Sequence, residues 1–142
     1  MLPIISEDDN VAEVAADLGA RLTRFNEVQA GPLHTRHIAL TVRDEHRDVI
    51  AGLTAEIFWN ALYVHLLWVD EQHRGQGYGK SLLYRAEALA VETSCEYVYL
   101  STFEFQAPEF YSRHGYSVIG ELSGVPRGFR RQWFCKRFPP AG

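Results

Sequence analysis

Cysteine is scarce in this chain. There are two in 142 residues, Cys95 and Cys135, and no Cys-x-x-Cys pair. That excludes a disulfide-stapled miniprotein and reads as two separate thiols in a reducing compartment. Long apolar runs are also missing. Nothing approaches the roughly 20 residues that span a bilayer. Residues 1–10 carry no basic flank ahead of an apolar stretch, so no signal peptide and no membrane partner are expected, and the expected location is cytoplasmic. Positive charge is in short supply, with 14 Lys and Arg against 18 Asp and Glu, a net charge of −4. Binding a nucleic-acid backbone needs clustered cations, so no nucleic-acid partner is expected. The one basic strip, Arg127, Arg130, Arg131, Lys136 and Arg137, is short and reads as a solvated strand face. Mild acidity suits a small cationic substrate instead.

What the chain does contain is 46% hydrophobic and 13% aromatic residues, enough for the core of one domain spanning residues 1–142. Val11, Val14, Ala15, Leu18, Leu22, Phe25 and Val28 recur at helical spacing. Ser6 stands as a cap before the acids Glu7, Asp8 and Asp9, and Gly31-Pro32 closes the helix. Strand-like runs follow at residues 37–42 and 49–59, forming a hairpin, and a nearly continuous apolar run at 62–69 reads as a central strand. A polar, glycine-rich stretch at 70–80 leads into a helix over 81–92. A strand at 97–103, a short helix at 107–114 and strands at 116–122 and 130–138 complete the order. A strand–helix–strand unit behind a hairpin makes the sheet mixed.

The stretch Arg74-Gly75-Gln76-Gly77-Tyr78-Gly79 lies between a buried strand and a helix. The first turn of a helix has unpaired N–H groups at the positive end of its dipole, and glycine lets backbone approach an anion. This combination makes a phosphate site. Gly79-Lys80-Ser81 imitates the end of a nucleotide P-loop, but Arg74 stands where that loop needs glycine. The Gly-x-Gly-x-Gly spacing also departs from the dinucleotide fingerprint. No Gly-x-Ser-x-Gly elbow occurs, and the six histidines are scattered without ligand spacing, so neither a serine hydrolase nor a metal centre is expected.

The Arg-x-x-Gly-x-Gly pattern, set in Val69 to Gly79, closely resembles the acetyl-CoA loop of the GCN5-related N-acetyltransferases, the GNAT superfamily. The element order resembles that fold along nearly the whole chain. A second segment, Phe110-Tyr111 followed by Gly115-Tyr116, is similar to the Phe-Tyr-x-x-x-Gly-Tyr/Phe stretch of many such enzymes. Two departures stand out. Glu71 lies where proline is common, and His65 lies where an acid is common.

The resemblance implies an α/β fold with a mixed, twisted sheet of six or seven strands and helices on both faces. It implies acetyl transfer from acetyl-CoA to a primary amine, without metal, by direct attack in a ternary complex. The cofactor-binding set it implies is the backbone of Gln72, Arg74, Gly75, Gln76, Gly77, Tyr78 and Gly79, with Lys80 near by. The pantetheine arm is expected against the main chain of Leu67, Trp68 and Val69. Phe110 joins this set through the second segment. Gln106 is open between touching the cofactor and capping a helix start.

Tyr111 is the expected general acid for the departing thiolate. The base is open among His65, Asp70, Glu56 and Glu104. Histidine is favoured because its charge changes near neutrality. Trp59, Tyr63 and Trp133 fit an acceptor pocket and fit a core equally well. The Gly124–Phe129 loop departs from the Pro-Pro-x-Gly-His pattern common in relatives, so acceptor preference does not transfer. The expected partner is a small-molecule amine, and pairing as a homodimer is left open. A module that binds CoA without transferring the acetyl group is the competing reading.

Overall fold

The computed structural model describes residues 1–140; Ala141 and Gly142, the end of the expected 1–142 domain, lie outside the described residues. The chain divides into two units at Leu33. In the first unit a single 3₁₀ turn, Asp8–Asn10, runs into helix α1, Val11–Ala30. The expected cap is not made. The Ser6 hydroxyl donates to the Asp8 carboxylate (2.7 Å) rather than accepting from a helix N–H. A neighbouring acid outcompetes the backbone for a short side chain. The helix stops at Gly31 as expected, where φ is +88°, a conformation only glycine adopts without strain.

The second unit carries a six-stranded mixed sheet in the order β1-β2-β3-β4-β6-β5. Its strands are β1 (Arg36–Arg43), β2 (Val49–Phe58), β3 (Ala61–Val69), β4 (Tyr97–Phe103), β5 (Ser117–Ser123) and β6 (Arg130–Arg137). All pairings are antiparallel except β3 with β4. Helix α2, Tyr78–Glu92, crosses between those two parallel strands. Helix α3, Pro108–Arg113, follows β4, with Pro108 at its first turn, where a missing N–H costs nothing.

Period-two alternation decides the sheet's two faces. Leu53, Ala55 and Ile57 of β2, Leu62 and Val64 of β3, Val98 and Leu100 of β4, and Phe134 of β6 are buried on one face. Leu83, Ala86, Leu89 and Ala90 of α2 and Tyr111 of α3 join the same cluster. Burying one such leucine stabilises the fold by roughly 1.5–3 kcal/mol. The other face carries Glu56, Phe58, Tyr63, Tyr99, Ser101, Phe103, Arg131 and Trp133, all partly exposed.

Strand β3 departs from the expectation of a strand buried on both sides. Leu62 is fully buried, whereas His65, Leu66 and Trp68 are exposed. Its pairing with β4 explains this. Only Ala61↔Tyr97, Leu62↔Val98 and Tyr63↔Tyr99 pair before the strands separate. On the other side, the β2–β3 register shifts between Thr54 and Ala55, whose partners are Leu66 and Val64, leaving His65 as the extra residue of a bulge.

Candidate active site

Where β3 and β4 part, a cleft of about 690 Å³ opens. One wall is the second half of β3, His65 to Val69, with the glycine loop and the start of α2. The other is Ser101 and Thr102 of β4, the Phe105–Ala107 turn and α3. The edge of β3 that would have met β4 has no strand partner along this wall, so its main-chain groups face the cleft. Leu67, Trp68 and Val69, expected to offer backbone, line it.

The loop wall is built by local backbone chemistry. Asp70 caps a 3₁₀ turn at Glu71–His73, accepting from the Gln72 N–H (3.2 Å), and lies 3.0 Å from His73 Nδ1. The His73 contact, with help from the Gln72 N–H and the nearby Arg74 charge, outweighs desolvation and holds the Asp70 carboxyl below its ordinary value. Asp70 is thus the clasp of the loop, and a carboxylate made less basic is a poor base. Arg74 Nε donates to the Val69 carbonyl (3.2 Å), tying the loop to the strand end.

Gly75 and Gly77 have φ of +78° and +90°, and Gly77 is the left-handed residue immediately before α2. The helix begins at Tyr78, three residues earlier than its apolar pattern suggests. Its first bonded amide partner is Ser81 N–H to Gly77 O (3.0 Å), so the N–H groups of Tyr78, Gly79 and Lys80 have no partner within the helix. Gly79 is helical, and a Cβ there would meet Phe110 Cζ at 3.5 Å, an ordinary contact.

Of the expected binding set, Arg74, Gly75, Gly77, Tyr78, Gly79, Lys80, Gln106 and Phe110 line the cleft together with the three β3 residues. Gln72 and Gln76 do not. The Gln72 N–H is already spent on Asp70, and both side chains point to solvent as exposed residues. Lys80 holds its ammonium 5.6 Å from the Tyr84 ring centroid. Gln106 settles toward capping: its Oε1 accepts from the Phe103 N–H (2.8 Å) and the Thr102 hydroxyl (3.3 Å). The residue still lines the cleft.

Tyr111 lines the cleft and is buried, its ring packed edge-on to Phe110 and Tyr116 and tilted against Phe134. Burial pushes its phenol up to about 12. Beneath it, the Tyr116 hydroxyl donates to Glu87 Oε2 (2.7 Å), and Lys136 Nζ closes the group at 3.2 Å from Glu87 Oε1. Burial, then the Glu87 hydrogen bond and charge, push the Tyr116 phenol far above its ordinary value. This trio of α2, β6 and the residue ahead of β5, with Lys136 only partly buried, holds the Tyr116 ring on which Tyr111 packs.

His65 lines the cleft at its apex. Its Nε2 is 3.3 Å from Glu56 Oε2, and its ring meets Tyr63 edge-on at 4.7 Å. Tyr63 in turn lies 4.9 Å from Tyr99. The structure therefore brings two of the four base candidates together. Glu104 is drawn away into a pair with Arg130 (3.2 Å), and Trp59 sits next to Phe58 outside the cleft. Trp133 lies under the Arg131 guanidinium at 4.8 Å.

The basic strip is not one solvated face. Arg130 binds Glu104 and Glu121, Lys136 reaches the buried Glu87, and Arg131 lies over aromatic rings. Sequence reasoning missed His73, Ser101, Phe105 and Arg113 in the cleft lining. His73 and Arg113 fall at unassigned positions inside the two quoted stretches, and topology brings Ser101 and Phe105 to them. No helix among the described residues is long and apolar enough to cross a membrane.

Comparison with known proteins agrees with this geometry. The model of the Acetyltransferase (GNAT) family matches residues 7–116. An acetyltransferase of Agrobacterium fabrum is 34% identical over 131 residues, covering 91% of this chain and 96% of that protein. The blasticidin-S acetyltransferase of Streptomyces morookaense is 38% identical over 116 residues, covering 81% of this chain and 84% of that protein. The crystal structure of an acetyltransferase from Bacillus cereus superposes with a TM-score of 0.83 at 28% identity, covering 97% of each chain.

Proposed function

The chain belongs to the acetyltransferase (GNAT) family and is an acetyl-transferring enzyme, and from that premise we propose that it moves an acetyl group from acetyl-CoA to a primary amine by direct attack in a ternary complex. The observation that carries this reading is the cleft itself. A helix start with unpartnered amides, two left-handed glycines and the cations Arg74 and Lys80 at one end suits a pyrophosphate. The unpaired edge of β3 continues from there and suits an extended amide-bearing arm. The lining also holds the Tyr111 phenol on the α3 wall and, on β3, the His65 imidazole paired with the Glu56 carboxylate. The blasticidin-S acetyltransferase among its relatives supports a small-molecule amine as acceptor.

Acetyl-CoA supplies an activated thioester. A main-chain N–H of the β3 edge polarises its carbonyl as charge develops on oxygen. His65, supported by Glu56, takes one proton from the acceptor ammonium and frees the nitrogen lone pair. The nitrogen forms the C–N bond and the C–S bond breaks. Tyr111 donates to the departing sulfur, and the second proton of the new amide nitrogen restores the phenol. A phenol held at about 12 is a weaker acid than a thiol, near 8.5. Tyr111 therefore acts as a hydrogen-bond donor that hands over its proton only as it is refilled. Most of the acceleration is assigned to positioning and to the fixed dipoles.

The test is calorimetric titration with acetyl-CoA, with CoA and ATP as comparisons, followed by thiol release in the presence of amines. Acetyl-CoA binding without ATP binding, and thiol release that depends on an amine, is the expected result. Absence of acetyl-CoA binding overturns the loop assignment. Binding with no release for any amine favours the competing reading, a CoA-binding module without transfer.

A further inference from the structure

Building on this acetyl-transfer reading, we infer that Arg131 is a carboxylate-recognition residue of the acceptor site, and that the acceptor is an amine that also carries a carboxylate several carbons away. The surroundings of Arg131 differ from those of its sequence neighbours. Arg130 is neutralised by Glu104 and Glu121, and Lys136 by Glu87. Arg131 has no carboxylate partner among the described residues; its Nε and Nη2 both donate to one neutral oxygen, Ser101 Oγ, at 3.1 and 2.7 Å.

Its guanidinium carbon lies 5.4 Å from the Phe103 ring centroid and 4.8 Å from that of Trp133. Ring contacts of this kind hold a guanidinium in place, strip water from it and leave its in-plane N–H groups to bind; Ser101 takes the Nε–Nη2 side, so the Nη1–Nη2 edge is left. That edge matches a carboxylate bidentately. An ordered, partly desolvated cation with spare donors and no anion is a site for one.

Its position ties it to the reaction. Ser101, which Arg131 grips, lines the cleft beside His65. Phe103 pairs with Arg131 and Ser101 with Trp133, so all four share the sheet face that carries Tyr63, Tyr99 and Glu56. Negative charge thus stands at the β2–β3 end of this face, at the Glu56–His65 pair, and positive charge at the β6 end. β3 and β6 flank β4, about 10 Å apart where the strands pair and farther beyond Tyr63, where β3 has left β4. Arg131 leans over β4 onto Ser101 and shortens that span. A zwitterion whose ammonium and carboxylate stand at the two ends of a flexible chain meets Glu56–His65 with the one and Arg131 with the other, over a floor of Tyr63 and Tyr99; an α-amino group, one carbon from its own carboxylate, is too close to it to reach both.

The experiment compares matched amines that differ only by a carboxylate: lysine with cadaverine, ornithine with putrescine, 6-aminohexanoate with pentylamine. Thiol release is measured at saturating acetyl-CoA for the native protein and for Arg131→Gln. In the native protein, kcat/KM for the carboxylate-bearing member exceeds that of its partner by about tenfold to a hundredfold in at least one pair, as expected for hydrogen bonds between charged groups. In Arg131→Gln the ratio collapses toward one, mainly through KM, while calorimetric acetyl-CoA affinity is kept.

A native ratio at or below one in every pair overturns the inference and leaves acetyl transfer standing. So does an unchanged ratio in Arg131→Gln. No turnover of either member of any pair, while another amine releases thiol, overturns this inference alone; no release with any amine, with acetyl-CoA bound, overturns the acetyl-transfer reading and this inference with it. If the variant does not fold, the native ratios decide.

Discussion

The two walls of the cleft are made of different material. The β3 and loop wall works through main chain: the unpaired edge of His65 to Val69, the left-handed Gly75 and Gly77, and the first amides of α2. The β4 and α3 wall works through side chains: the Tyr111 phenol, the Gln106 amide and Ser101 with the arginine it holds. Main-chain groups survive most substitutions, provided the conformation that aims them is kept. A side-chain group is lost with its residue. The first wall should therefore be sensitive at its glycines and tolerant at its apolar side chains Leu67, Trp68 and Val69, with His65, Arg74 and Lys80 as its side-chain exceptions, and the second wall should be sensitive at its side chains.

The sharpest break in this comparison is Tyr111→Phe. Removing one hydroxyl should lower turnover about a hundredfold or more, within the range for a positioned proton donor. Acetyl-CoA affinity, measured by calorimetry, should hardly move. Turnover within a few-fold of native would remove Tyr111 from the chemistry.

The loop wall should respond to conformation. Gly77→Ala puts a side chain at φ +90°, where the strain is about 1–2 kcal/mol, although a Cβ there meets nothing within 4 Å. Acetyl-CoA should bind roughly fivefold to thirtyfold more weakly. Leu67→Met keeps both volume and main chain, and should change affinity less than about threefold. Equal losses from both variants would mean that side chains, not backbone, carry this wall.

The smallest effect is on stability at high pH. The Tyr111 phenol is raised from 10.0 to about 12 in the folded protein. A raised phenol favours folding while it is protonated. That contribution is full below pH 10 and is lost as pH climbs toward about 12. Tyr116, raised by burial and by Glu87, acts in the same direction. Urea midpoints compared at pH 8 and pH 11 should fall in the native protein. The fall should be shallower in Tyr111→Phe, and an identical fall would place the alkaline sensitivity elsewhere.

Much of this was legible before any coordinates. The strand at Tyr97–Phe103 sits where its alternation predicts, and the other strands agree within a residue or two at each end. The glycine loop announced an anion site because three glycines, an arginine and a helix start are a local arrangement, written in consecutive residues. Local competition defeated two expectations. Ser6 chose the Asp8 carboxylate over the helix amides, and α2 absorbed Gly79 and Lys80 into its first turn. Gln106, left open by the sequence, was drawn to the Phe103 amide.

The sequence by itself determined the elements, their order and the loop chemistry, because hydrophobic period, glycine and helix caps act over a few residues. Only the tertiary structure decided what the elements enclose. The parting of β3 from β4 after Tyr63 turned an apolar run into a cleft wall. The bulge at His65 set that ring beside Glu56, nine residues away. The β4–β6 register laid Arg131 over Ser101, thirty residues away, and split a basic strip into paired and unpaired charges. These contacts join residues distant in the chain, and pairing register and strand separation fix them rather than any local preference.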